Sequence, residues 1–225
     1  MHIEPGLVDT TKIFLSYATG ATALLYAGKL AVDMGKQEGV VALLLRSVFT
    51  TALVFAFFEL LPHHPVGVSE VHLILGTTLL LLFGAAPACI GLAAGLLIQS
   101  VFFAQQDLPQ YGMNVTTLLV PLFATAAIAK RIVPESMAYV DMTYAQTFKL
   151  SVAYQGGIVA WVAFWAIYGA VVGSANLESI GTFGAAYMMV VLLEPLVDLG
   201  VLAGAKALRR FEGSAFVERR LHQAV

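Results

Sequence analysis

Charged side chains are scarce in this chain of 225 residues, at 12% of the total, against about 25% in an ordinary soluble domain. A soluble domain of this length needs a polar shell, and this composition cannot build one. Cysteine is almost missing. The single Cys89 lies within an apolar run, which excludes an intrachain disulfide and any cysteine-based metal cage; it reads as a small buried filler. No Pro-, Ser- or Gln-rich linker divides the chain, so residues 1–225 read as one domain. No Gly-x-x-x-x-Gly-Lys-Ser/Thr loop exists, so the chain does not hydrolyse ATP by that route. His-Glu-x-x-His, Gly-x-Ser-x-Gly and paired-cysteine sites are absent as well. The net charge of −2 says little about partners, because placement matters more than the sum in such a chain.

Hydrophobic residues make up 59% of the chain, in recurrent runs of the length that crosses a bilayer as helix. Barrel strands would alternate polar and apolar residues over about 10 positions, and these runs do not. The fold class is therefore an all-α, polytopic transmembrane bundle. Seven helices are expected at about 11–32, 40–61, 70–84, 86–105, 114–130, 147–173 and 181–206. The third is short, yet the Gly84–Pro87 turn ends it. A cleaved signal peptide is not expected, since Glu4 and Asp9 precede the first basic residue, Lys12, and the apolar run continues to Val32.

Seven crossings with the amino terminus outside put Lys29, Lys36, Arg46, Lys130, Arg131, Lys149, Lys206, Arg209, Arg210, Arg219 and Arg220 at cytoplasmic ends. Only Lys12 of the 12 basic residues stays outside, a strong positive-inside asymmetry that places the carboxyl terminus in the cytoplasm. The multi-pass chain belongs in the plasma (inner) membrane. The same arrangement gathers His2, His63, His64 and His72 at the outer face, with Glu4, Asp9, Glu59, Glu70, Asp107 and Glu178. An anionic, imidazole-rich face suits capture of a divalent cation; equally, acids simply avoid the cytoplasmic side.

A histidine directly after an amino-terminal methionine has a particular coordination chemistry. The amine of Met1, the amide nitrogen of His2 and its imidazole can close two fused chelate rings around one ion. Amide deprotonation then requires Ni(II) or Cu(II), or less readily Co(II), and such tetragonal nitrogen sites favour late first-row divalent metals. The fourth position is open to another imidazole. His72, in Ser69-Glu70-Val71-His72-Leu73, is either a plain interfacial residue at the mouth of the third helix or that fourth ligand, oriented by Ser69 or Glu70. His63 and His64, in Leu-Pro-His-His-Pro, read as solvated.

Met1-His-Ile-Glu-Pro-Gly6 resembles the amino terminus of the CbiM/NikM family, the substrate-binding membrane subunits of cobalt and nickel energy-coupling-factor transporters. Ser69-Glu70-Val71-His72-Leu73 is similar to that family's Ser-x-His segment, and the stretch from Gly84 through Gly95–Gln99 to Gly112-Met-Asn114 follows its middle region. The resemblance is close over roughly the first 125 residues and rests on hydropathy beyond. It implies that Met1, His2 and His72 hold Co2+ or Ni2+ as transported ligand, with Asn114 in support and no organic cofactor. It further implies a coupling transmembrane subunit, cytoplasmic ABC ATPases and a small accessory membrane subunit as partners, and no nucleic acid. One departure stands out: Ala104-Gln105-Gln106-Asp107-Leu108 replaces a His-Gly-Gly turn, which bears on the choice of ion.

Two acids fall within the last span. Glu194 and Asp198 share a helix face, and intramembrane carboxylates are functional candidates by default. Glu194 is expected about 13 residues, or roughly 20 Å, from the outer end of its helix, too deep for a site built by an amino-terminal tail. Arg46 and Lys149 are the expected partners of a structural ion pair. Ala23, Ala27 and Ala31 form a small-xxx-small stripe, either packing within the bundle or, by the family resemblance, docking the coupling subunit. The sequence is thus expected to specify a non-enzymatic metal-import subunit. A self-sufficient secondary carrier or channel, or an intramembrane enzyme using Glu194 and Asp198, are the alternatives.

Overall fold

The computed structural model describes residues 3, 6–9, 11–61, 64–134, 136–169, 173–207 and 215–221. Among them are seven α-helices: α1 (Phe14–Gln37), α2 (Val40–Leu60), α3 (Gly76–Phe83), α4 (Ala85–Phe102), α5 (Tyr111–Ile132), α6 (Tyr144–Gly169) and α7 (Ser174–Ala207). Five, namely α2 and α4–α7, are long and apolar enough to cross a membrane. Helix α1, of 24 residues, has the length but carries Lys29, Asp33 and Lys36 toward its end. Phe14, Leu25, Val48, Phe102 and Leu196 are each more than 60% exposed, an outer surface that only lipid can solvate. This is a membrane protein.

Local chemistry explains most element ends. Asp9 orders the turn that leads into α1: its carboxylate accepts the Thr11 amide and hydroxyl at 2.8 and 2.6 Å, and its carbonyl accepts the Lys12 and Ile13 amides. These Thr11 bonds hold the exposed Asp9 carboxyl below the usual range. Gly84, at φ +91°, separates α3 from α4, and Pro87 falls in the first turn of α4, where its missing N–H costs nothing. Helices α2 and α4 then pack closely. A Cβ at Gly91 would stand 2.5 Å from the Thr50 side chain, while the Thr50 hydroxyl bonds the Pro87 carbonyl at 2.7 Å.

The expected helix at 70–84 is corrected. Residues His64–Val66 (β1) and Ser69–Val71 (β2) form an antiparallel hairpin, residues 72–75 are irregular, and α3 has only 8 residues, about 12 Å. Non-helical backbone at membrane depth survives only where protein covers it, and His72, Ile74, Leu75 and all of α3 except Leu82 are buried. The loop expected at 174–180 is instead the first part of α7.

The two ends of the bundle differ. At one, Lys12 Nζ bonds the Tyr168 carbonyl at 2.9 Å and the Gly169 carbonyl at 3.3 Å, joining the start of α1 to the end of α6. At the other, Arg46 is 2% exposed and pairs with Glu38 at 2.8 Å and Glu218 at 3.2 Å. Arg220 there bonds the Val133 and Pro134 carbonyls and lies over the Tyr139 ring. The expected pairing of Arg46 with the buried acids of α7 is thereby overturned, because Arg46 turns to the carboxyl-terminal segment. No described ion pair joins Lys149 to those acids. Ala23 and Ala27 are buried in the main core, so the alanine stripe packs inside this chain and is not a free docking face.

Candidate metal-binding site

The site is built at the end that carries residues 3 and 6–9. Ile3 is fully buried among Val8, Met113 and Trp165. Its amide donates to Asn114 Oδ1 at 2.9 Å, and its backbone makes a β-bridge to Ser69. Ile3 is thus held between the hairpin and α5. A tight turn at Gly67, φ +62°, makes the hairpin possible, and the turn lies so near α7 that a Cβ there would be 2.3 Å from the Ser179 carbonyl oxygen.

Three residues beyond Ser69, His72 is 1% exposed. Glu70 Oε2 lies 2.8 Å from His72 Nε2, and Phe58 packs against the imidazole with ring centres 5.4 Å apart. Carboxylate contact of this kind fixes a ring's tautomer and orientation and raises the basicity of its other nitrogen. The buried amide nitrogen of Asn114, Nδ2, has no hydrogen-bond partner among the described residues. A buried polar atom of that sort calls for a partner.

Ser69 and Asn114 are thereby brought to Ile3, with Glu70 and His72 one and three residues beyond Ser69. Met1, His2 and His63 lie outside the described residues; His64 is exposed on β1. No three His, Cys, Asp or Glu side chains converge on one point among the described residues, so His72 and Glu70 alone make no cage. Cys89 is fully buried. In the departing middle turn, Gln105–Gln110 is a 3-10 helix with Asp107 buried at 4% exposure.

Glu194 is not remote from this region, contrary to the expectation from its depth. Its Oε1 accepts the amides of Ile74 and Leu75, the latter at 3.0 Å. Its Oε2 accepts Gln155 Nε2, and Gln155 Oε1 accepts the Tyr187 hydroxyl at 2.7 Å. One helical turn along, Asp198 accepts the Thr78 hydroxyl. The irregular third segment reaches inward to meet these acids, where a regular helix would not. Sequence reading missed Gln155, Tyr187, Thr78 and Phe58; the one visible signal was Gln155, an amide stranded in an apolar run.

Comparison with known proteins agrees in fold and family. A crystal structure of a transition metal transporter is 18% identical and superposes at a TM-score of 0.71, covering 99% of this chain and 96% of that one. A truncated transition metal transporter is 17% identical at a TM-score of 0.66, covering 92% and 97%. No curated protein matches in sequence. Residues 2–210 match the family described as cobalt uptake substrate-specific transmembrane region. The match spans nearly the whole chain, and this protein belongs to the CbiM family of metal-uptake membrane proteins.

Proposed function

We propose that this chain is the substrate-binding membrane subunit of an ATP-driven energy-coupling-factor importer for Co2+ or Ni2+. The ion is held by the Met1 amine, the amide and imidazole nitrogens of His2, and His72. The observation that carries this reading is Ile3: its amide is fixed on Asn114 and its backbone on Ser69, one residue past the chelating dipeptide and three before His72. Consecutive Cα atoms are about 3.8 Å apart, so the bonds on Ile3 hold the residue next to the chelating dipeptide against the segment that leads to His72, which supports this ligand set. Three nitrogens from the terminus and one from His72 make a four-nitrogen tetragonal set, the geometry that suits Ni(II) and Cu(II). Ser69, Glu70 and Asn114 support the set without binding the ion, Glu70 by holding the His72 ring.

Orientation follows from the same reading. The amino-terminal end faces outward, where the ion arrives, and the end carrying Arg46, Lys130, Lys206 and the 215–221 segment faces the cytoplasm. The bonds joining α1 to α6 at one end, and α2, α5 and the carboxyl-terminal segment at the other, are compatible with seven alternating crossings. A coupling membrane subunit and cytoplasmic ABC ATPases supply the work of release, because this chain has no phosphate loop.

Insertion of one alanine after Met1 tests the chelate directly, since it moves His2 out of the second position while leaving Ile3 on Asn114. Stoichiometric Ni2+ or Co2+ binding by the detergent-purified chain is expected to vanish in that variant. Binding that persists unchanged would sink the proposed ligand set.

A further inference from the structure

Helix α3 begins inside the bundle, and its first amides need acceptors that no water can supply. A helix leaves its first four N–H groups unpaired, and in a membrane interior each such group costs several kcal/mol unless protein satisfies it. Leu75, the residue before α3, adopts a left-handed conformation at φ 56°, ψ 33° and offers no side-chain cap of its own. Non-glycine residues hold that conformation only when their surroundings impose it. The Glu194 carboxylate of α7 imposes it here, accepting the Ile74 and Leu75 amides together.

Glu194 is itself held in place. Gln155 of α6 donates to its second oxygen, and the Tyr187 hydroxyl fixes which way the Gln155 amide points. Tyr154, also of α6, closes over the start of α3 so tightly that a Cβ on Gly76 would stand 2.2 Å from its ring. Residues 74 and 75 are therefore pinned from α6 and α7. His72 is only two residues upstream, with its ring fixed by Glu70 and Phe58.

We infer that Glu194 is a positioning residue for the metal site: through the Ile74 and Leu75 amides it sets the backbone from which His72 reaches the ion. This inference rests on the proposed metal site. It also makes α7 the element through which a displacement within the bundle is transmitted to His72. A shift of α7 that withdraws the carboxylate frees both amides and removes the constraint on the ligand's backbone.

The test is a titration of the detergent-purified full chain with Ni2+, followed by the d–d absorption of the planar complex, with apo-protein melting measured alongside. Glu194→Leu removes both acceptor oxygens at similar volume, and its affinity is expected to fall about tenfold or more, the range for residues that support a metal ligand from behind. Glu194→Gln keeps one oxygen for the two amides, and a turned Gln155 amide can meet its NH2 group. It is expected to retain affinity within about threefold of the parent, a rescue that the donor and acceptor inventory allows. Arg220→Ala loosens the opposite end of the bundle and is expected to lower melting while leaving affinity unchanged. Full affinity in a folded Glu194→Leu variant overturns the inference, as does an equal loss in Arg220→Ala. Should Glu194→Leu not fold, Gln155→Leu takes its place. It removes one of the bonds that hold the carboxylate and is expected to weaken binding severalfold; unchanged binding overturns the inference. If the parent chain itself shows no band and no binding, the proposed metal site fails instead.

Discussion

Arg46 shows at the level of one residue how a membrane chain keeps a charge. Its guanidinium is buried beside two carboxylates and also bonds the Ala215 carbonyl at 3.2 Å. Removing one member of a buried ion pair strands the others. Arg46→Met is therefore expected to destabilise the protein by about 3 kcal/mol, read as a fall in the apo melting temperature. Glu218 carries the electrostatic strain of this cluster. Burial, and after it repulsion from Glu38, holds its carboxyl above the ordinary value of 4.5 despite the attraction of Arg46. The folded chain thus binds this proton more readily than the unfolded one. Its contribution is fully present below the ordinary value and is lost as pH rises through the raised one. Melting measured against pH should show this decline, and Glu218→Gln should flatten it. Neither pairing was legible beforehand. Periodicity placed Arg46 at the right depth, but not which way it turned, and the segment that supplies Glu218 had been noticed only for its arginines.

At the scale of elements, apolar run length was enough to find α1, α2 and α4–α7, because lipid imposes that length whatever else a helix does. It failed at residues 70–84, whose composition is as apolar as a helix but whose conformation is set from elsewhere. The acceptor for Ile74 is 120 residues away in sequence, and no local pattern announces it. Ser69, Glu70, His72 and Asn114, the residues of the proposed metal site, were singled out through family likeness and residue chemistry. The clamp on Ile3 was not, since an isoleucine amide has no sequence signature. Close helix crossings are equally invisible until the axes are known. At Gly112 an added Cβ would lie 2.5 Å from the Ser16 carbonyl oxygen of α1, a backbone atom that cannot step aside. Gly112→Ala is expected to cost about 1–3 kcal/mol by overpacking. Because Asn114 is two residues away, it should weaken metal binding as well, which melting and titration would measure separately.

For the whole molecule, sidedness has a direct measurement. Cys89 is fully buried and gives little background to a thiol reagent. Cysteines placed singly at the exposed positions His64 and Lys130 therefore report the two ends. An impermeant maleimide applied to intact cells is expected to label the first and spare the second until the membrane is opened. The reverse pattern would invert the proposed orientation and with it the route of the ion.

The short third helix also bears on how the protein is made. Eight residues of helix are too few to hold a place in lipid alone, and the cap they depend on is synthesised about 120 residues later. Until α6 and α7 arrive, the chain from the hairpin to Gly84 lacks the Glu194 acceptor for its leading amides and part of the wall that covers it. The early segment is therefore expected to settle into its final conformation only once the last helix is in place. Ribosome-bound chains that stop before Glu194 are expected to leave residues 64–84 open to protease, and chains that extend past Ala207 to protect them.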